Sequence, residues 1–296
     1  MPSAETNAVR DYLKLHLVIL LWGFTAVLGN LIDISPTQLV LIRSLLATLL
    51  LVALLRRRAM IPGRLAVALI ANGMLLGLHW VLFFLAVKIA SVSICMIGVA
   101  TVSFWTALLE PMLNRKVRLQ RVNVVLGLVV IAAVYLIYRS ETEFHLGLIV
   151  AVLAAVLACL FSIFNGRLAG STGETVIVMY EMAGAAILCV VGLAIAPLLG
   201  IELASDRMLP TPVEWIYLAI LVLVCTIFAY WVYVELLRRM SVFTINFANN
   251  MEPIYGITFG AIFFGDLQHV GTAFYAGAVL IFAAVLVQPW LAKRFP

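Results

Sequence analysis

The chain has 296 residues, of which 65% are apolar and only 11% charged, and its formal net charge is +5. Soluble domains carry roughly a quarter charged residues and about half apolar ones, so no water-surrounded fold of this length has enough interior for so much apolar surface. Lipid must be the solvent for much of it, and the excess of base serves topology and anionic lipid rather than a nucleic-acid partner.

Ten apolar stretches, each near the ~20 residues that a helix needs to cross the hydrocarbon, run over 14–31, 37–55, 65–87, 91–112, 121–138, 145–166, 175–199, 213–237, 243–265 and 270–291. They lack the period-2 alternation of a barrel strand and read as helices. Before the first stand Arg10 and Lys14, with no small-residue cleavage site near Leu31, which predicts a retained helix rather than a signal peptide. The second contains Arg43, which either snorkels to the outer surface or acts as a gate. In the third, His79, Trp80 and Phe83 lie toward the outer side. His79 suits a proton shuttle or a helix–helix hydrogen bond, and the two aromatics suit either stacking on a substrate or plain packing.

The fourth stretch carries Ser103 and ends on Glu110-Pro111. In the seventh, Tyr180 and Glu181 are deep enough to gate the inner mouth, and at the end of the eighth Glu235 can pair with Arg238 or Arg239. The ninth is the richest in polar groups. Asn249 and Asn250 precede Glu252, which lies roughly 13–14 Å into its helix, and Pro253 follows. An ionisable group at that depth marks a cavity, a partner or a structural pair, and the proline frees a carbonyl in the preceding turn. Glu252 is the leading candidate to meet a substrate amine or a coupling proton. Gly73…Gly77 and Gly256…Gly260 have the spacing of close helix packing. Cys95, Cys159, Cys189 and Cys225 all fall inside apolar stretches without CxxC spacing, as buried thiols do.

Orientation follows from the bases. With the N-terminus inside, fifteen Lys and Arg face the cytoplasm, Lys116, Lys293 and Arg294 among them, and three (Lys88, Arg139, Arg207) face out; Asp33, Glu141, Glu143, Glu202, Asp206, Glu214 and Asp266 also face out. Fifteen against three places both termini in the cytoplasm.

The chain also resembles itself. At an offset of 150, Ser91-Val92 matches Ser241-Val242, Gly127 matches Gly277 and Ile131 matches Ile281; at an offset of 138, Thr37 matches Thr175, Val40 matches Val178 and Ala47 matches Ala185. Two halves, 1–140 and 141–296, then hold five helices each. An odd number inverts the second against the first, which is the architecture of alternating-access transporters with a midplane site between the halves. Arg43 and Glu181 fall at equivalent positions, roughly 10 Å apart in depth, as opposite gate elements rather than one binding pair.

Leu21-Trp22-Gly23-Phe24-Thr25, Leu41-Ile42-Arg43-Ser44, Phe83-Phe84-Leu85-Ala86 leading to Ala90-Ser91-Val92-Ser93, and Glu252-Pro253-Ile254-Tyr255-Gly256 leading to Phe263-Phe264-Gly265-Asp266 occur in this order. Together they resemble the drug/metabolite transporter superfamily in its EamA-type branch. That resemblance implies ten helices around a central cavity and export of amino acids, other metabolites or drugs across the inner (plasma) membrane, and Glu252, Glu181 and His79 tilt the choice toward an amino acid or another amine-bearing metabolite. Ser103 stands where the second half has Pro253, and Lys116 where it has Asp266, so the halves differ chemically.

No ATP-binding cassette or phosphate loop occurs, so a proton gradient or exchange must supply the energy. No HExxH, GxSxG or paired aspartates suggest an enzyme, no cofactor is implied, and a channel would need a filter-like loop. A lipid flippase or scramblase and a multidrug exporter are the alternatives on the same fold. The partners expected are a small-molecule substrate and membrane lipid, with the chain a monomer or homodimer.

Overall fold

The computed structural model describes residues 4–115, 117–140 and 142–294; it is 85% helix, and no strand occurs among the described residues. The charge-pattern residues Lys116 and Glu141, and the side chain of Lys293, lie outside them. The helices are α1 (Ala4–Leu31), α2 (Pro36–Leu55), α3 (Gly63–Ile89), α4 (Val92–Val99), α5 (Val102–Leu113), α6 (Arg121–Ser140), α7 (His145–Leu168), α8 (Glu174–Ile195), α9 (Pro212–Val222), α10 (Ala229–Leu237), α11 (Val242–Ala248), α12 (Glu252–Phe264) and α13 (Thr272–Arg294). Among the described residues, eight segments, from Val9–Leu31 to Pro212–Leu237, are long and apolar enough to cross a membrane; Thr272–Ala284 is a shorter apolar helix. The segment expected over 243–265 is interrupted midway.

Local chemistry sets the starts and stops. Ser35 caps α2 and Thr211 caps α9, each with a capping box closed by Gln38 or Glu214 and a proline in the first turn, which satisfies the first orphan donors of each helix. Ser91 caps α4 through the Ile94 N–H, and Ser241 caps α11 through the Thr244 N–H. These two serines are 150 residues apart, so the repeat shows in capping chemistry as well as in sequence.

Both capped segments then break at the same repeat position. α4 passes into α5 through Ala100 and Thr101, and the Thr101 hydroxyl donates to the Gly98 carbonyl at 2.8 Å. α11 passes into α12 through a 3₁₀ turn at Asn249–Met251. The sequence places the second break at Pro253. In the structure Pro253 sits in the first turn of α12, where its missing N–H costs nothing, and the chain turns before reaching it. A third irregularity, the π-turn Leu223–Phe228, joins α9 to α10; α3, its counterpart at the offset of 150, is continuous.

Polar contacts show which termini share an end. At one end Lys14 pairs with Glu235, Arg239 pairs with Asp11 and Glu235, Arg238 pairs with Glu174, Arg167 donates to the Leu113 carbonyl, and the Tyr180 hydroxyl donates to the Ala59 carbonyl. At the other end Lys88 donates to the carbonyls of Asn30 and Ile32, Arg207 pairs with Glu214, Glu214 accepts from the Asp33 N–H, and Gln38 holds Ser205 of the 200–212 connection. We call these the basic and acidic ends.

Packing is reciprocal between the halves. α1 lies against α10 and α12 as α7 lies against α3 and α4, while α2 meets α8 and α6 meets α13. The crossing of α3 on α8 is the tightest: a Cβ at Gly73 would collide with the backbone of Glu181, one at Gly184 with the Ile70 carbonyl, and one at Gly77 would fall 2.8 Å from Ala185 Cα. At the acidic end, a Cβ at Gly256 would fall 2.5 Å from Met96 Cγ. Both glycine pairs marked by spacing therefore stand at close helix contacts. The four cysteines are free and buried.

Candidate functional site

The breaks in α4–α5 and α11–α12 border one small cavity. It has a volume of about 60 Å³ and is lined by Trp22 and Thr25 of α1, Arg43 of α2, Leu76, His79, Trp80 and Phe83 of α3, Val99, Val102, Ala158, Phe161, Ser162, Tyr230, Tyr233, Asn246, Asn249 and Glu252. At ~30 Å³ per water this conformation has room for about two solvent molecules, so a larger guest requires the surrounding helices to move apart.

Arg43 is fully buried and does not snorkel to a surface. Its Nε donates to Thr226 Oγ1 at 2.6 Å, and Thr226 is presented by the π-turn, its own hydroxyl donating to the Leu221 carbonyl. The guanidinium carbon sits 3.6 Å from the Trp80 ring centroid, a cation–π stack that offsets part of the burial cost. Nη1 and Nη2 have no hydrogen-bond partner among the described residues. Two charged donors left open beside a cavity form the planar fork that a carboxylate fits.

Glu252 supplies the opposite charge. It begins α12, where the helix dipole favours an anion, it is buried, and it makes no hydrogen bond or ion pair with a described residue. Further unsatisfied atoms surround the same space: the Trp22 indole N–H as donor and Asn249 Oδ1 as acceptor. Buried polar groups in folded proteins are nearly always paired, so this collection of open donors and acceptors is the feature that a bound polar guest would explain.

His79 takes the helix–helix role that the sequence left open. Its Nδ1 lies 2.8 Å from the Ala154 carbonyl; a carbonyl only accepts, so Nδ1 carries the hydrogen. The walls are aromatic. Trp22 lies 5.2 Å from Tyr230 and 5.3 Å from Tyr233, Trp80 lies 5.4 Å from Tyr230, and Phe161 lies 6.1 Å from Tyr230.

On the side toward the basic end a chain of hydrogen bonds closes the cavity. The Tyr233 hydroxyl donates to Ser162 Oγ, Ser162 donates to Asn246 Oδ1, and Asn246 Nδ2 donates to Thr106 Oγ1, each at 3.0 Å. Thr106 also lines a groove of about 730 Å³, with His16, Glu110, Arg118, Asn123 and Phe247. The Tyr233–Ser162–Asn246–Thr106 chain is thus the partition between a small cavity and a wide groove.

Of the residues singled out in the sequence, the cavity brings together Arg43, His79, Trp80, Phe83, Asn249 and Glu252. Ser103 and Asn250 line a separate small recess with Asn123 and Phe243, because the breaks turn their helix faces away from the cavity. Tyr180 binds the Ala59 carbonyl at the basic end. Glu181 is fully buried between α3, α7 and α8, outside the cavity lining. Sequence reasoning missed Trp22, Phe161, Ser162, Tyr230, Tyr233 and Asn246. The offset of 150 carries a signal for two of them, since Trp80 corresponds to Tyr230 and Phe83 to Tyr233.

Comparison with known proteins gives the family and the fold. The model of the EamA-like transporter family matches residues 12–139 and again residues 145–288. A solved structure, described only as a crystal structure of a protein, superposes with a TM-score of 0.69 over 97% of this chain and 99% of its own, at 18% identity, a likeness that shows the fold. No curated protein matches the chain.

Proposed function

The chain belongs to the EamA-like transporter family, and on that premise we propose that it is an alternating-access secondary transporter exporting an amino acid or a similar zwitterionic amine across the inner membrane. In this reading ten helices cross the bilayer as two inverted five-helix repeats, with the basic end and both termini in the cytoplasm, and a proton gradient or exchange drives the cycle.

One observation carries the substrate class: a single cavity is lined both by Arg43, whose Nη1 and Nη2 have no partner among the described residues, and by Glu252, which makes no hydrogen bond or ion pair with one. Each charge alone is costly to bury, and a guest with a carboxylate and an ammonium satisfies both. Arg43, with the Trp22 N–H of the same lining, takes the carboxylate. Glu252, with Asn249 Oδ1, takes the ammonium. Trp80, Phe83, Tyr230 and Tyr233 enclose the remainder of the solute. Because about 60 Å³ is too small for such a guest, loading requires parting of the helices.

Counterflow in proteoliposomes tests this. Labelled amino acids should exchange, and Glu252→Gln should reduce exchange at least about tenfold, the loss expected of a charge-assisted hydrogen bond. A normally folded Glu252→Gln protein exchanging at the wild-type rate would remove Glu252 from the site. Movement of labelled lipid without exchange of soluble amines would instead establish a flippase.

A further inference from the structure

Away from the cavity, the fully buried Glu181 of α8 reaches two other helices. Asn72 Nδ2 of α3 donates to its Oε1 at 2.8 Å, and Asn165 Nδ2 of α7 donates to its Oε2 at 3.3 Å. Both asparagines are buried, and the oxygen of each amide, Asn72 Oδ1 and Asn165 Oδ1, has no partner among the described residues. No described cation pairs with Glu181. The titratable and charged groups on the surrounding elements are elsewhere engaged or distant: His79 of α3 on the Ala154 carbonyl, Arg43 of α2 on Thr226, Cys159 of α7 near Thr106, and Arg167 at the exposed end of α7 on the Leu113 carbonyl. Tyr230 and Tyr233 of α10 interact with it electrostatically, and Tyr180 and Glu174 of α8 are held at the basic end.

As an anion this group has two amide donors, no counter-charge and two orphan acceptors beside it, which is a poor arrangement for a dry site. One added proton resolves it. Asparagine oxygen and nitrogen are assigned from bonding logic, and with the Asn165 amide turned over, Glu181 Oε2–H donates to Asn165 Oδ1 while Asn72 still donates to Oε1. Charge is then zero and Asn165 Oδ1 is paired, while Asn165 Nδ2 takes the place in which Oδ1 had no partner.

The position gives that proton a mechanical consequence. Glu181 lies at the tightest point of the α3–α8 crossing, where its own backbone occupies the space that a side chain at Gly73 would need. We propose that Asn72, Glu181 and Asn165 form a proton-binding site that holds the α3–α8 crossing closed when occupied and releases it when empty. Release moves the proton from the carboxyl oxygen to water admitted as the helices part, leaving a hydrated carboxylate. This deepens the transport reading, on which it rests, by assigning proton coupling to a site that does not touch substrate.

Amide hydrogen exchange of the full-length protein in lipid nanodiscs, with no substrate present, tests it. The closed form holds one more proton than the open form, so opening is favoured as pH rises. Protection of 70–77 and 181–185, corrected for intrinsic exchange, should fall about tenfold per pH unit through the transition. Glu181→Gln, which keeps the shape and cannot ionise, should stay protected at every pH. Protection independent of pH in the wild type, or a Glu181→Gln protein that follows the wild-type slope, overturns the proposal. If that variant does not fold, infrared difference spectra of the wild type decide: a protonated-carboxyl band should vanish over the same pH range in which protection falls, and a mismatch overturns it. Because neither readout uses substrate, failure of the cavity assignment and failure of this site are separate results.

Discussion

Arg43 and Glu181 occupy the same point of the two repeats, 138 residues apart, and their surroundings differ in every respect except burial. Glu181 sits in a crossing built on Gly73, Gly77 and Gly184, where backbones touch. At the positions corresponding to those glycines the other crossing has Leu223, Ile227 and Leu46, and it adds a π-turn. α2 lies less closely on the α9–α10 segment than α3 does on α8, and Arg43 lines a cavity and stacks on Trp80, while Glu181 is held by two amides. A shared scaffold fixes where a charge sits along its helix. The facing helix decides what that charge meets.

Breaking the tight crossing should have the largest effect. Gly73→Leu copies the residue of the other half into a place already filled by backbone, and it should cost about 3 kcal/mol or more, seen as loss of monodisperse protein or a large fall in thermal midpoint. Wild-type stability would mean that the α3–α8 contact is not tight in the membrane.

Arg43→Met tests the open side. Removing a buried cation whose Nη1 and Nη2 lack partners should leave the protein about 1 kcal/mol more stable, while counterflow falls about ten- to a hundredfold, as expected for loss of a charge-assisted pair. A variant that is less stable and still transports would make Arg43 a structural residue. Asn249→Val makes the second half copy Val99 of the first; with one acceptor gone, the apparent substrate affinity should drop about five- to tenfold at unchanged stability. Tyr233→Phe removes only the hydroxyl that starts the chain to Ser162, worth about 1 kcal/mol, and should speed solvent entry from the groove while leaving substrate affinity nearly as it was.

Legibility in the sequence followed the range of the interaction involved. Helices were readable because in lipid each must satisfy its own backbone, and the caps at Ser91 and Ser241 obey local rules. The break at Ala100–Thr101 carries no proline and the π-turn has no sequence signature, so neither was foreseen. Those irregularities also set rotational phase, which is why Ser103 and Asn250 face a recess while Val102 and Glu252 face the cavity. The inward course of Arg43 depends on Thr226, 183 residues away, and the seating of Glu181 depends on Asn72, 109 residues away. Periodicity and depth do not report such partners. Tyr230 and Tyr233 were within reach, since the offset of 150 leads to them directly from Trp80 and Phe83.

The unequal linings Val99 against Asn249 and Val102 against Glu252 have a consequence for directionality. Two identical repeats would enclose a space with two interchangeable poses for a dipolar guest, head toward either half. With anion-seeking atoms from α1 and α2 and cation-seeking atoms only from the second half, the degeneracy is gone. On the proposed reading a guest is held one way round, and it presents the same end to each membrane face on every turn of the cycle.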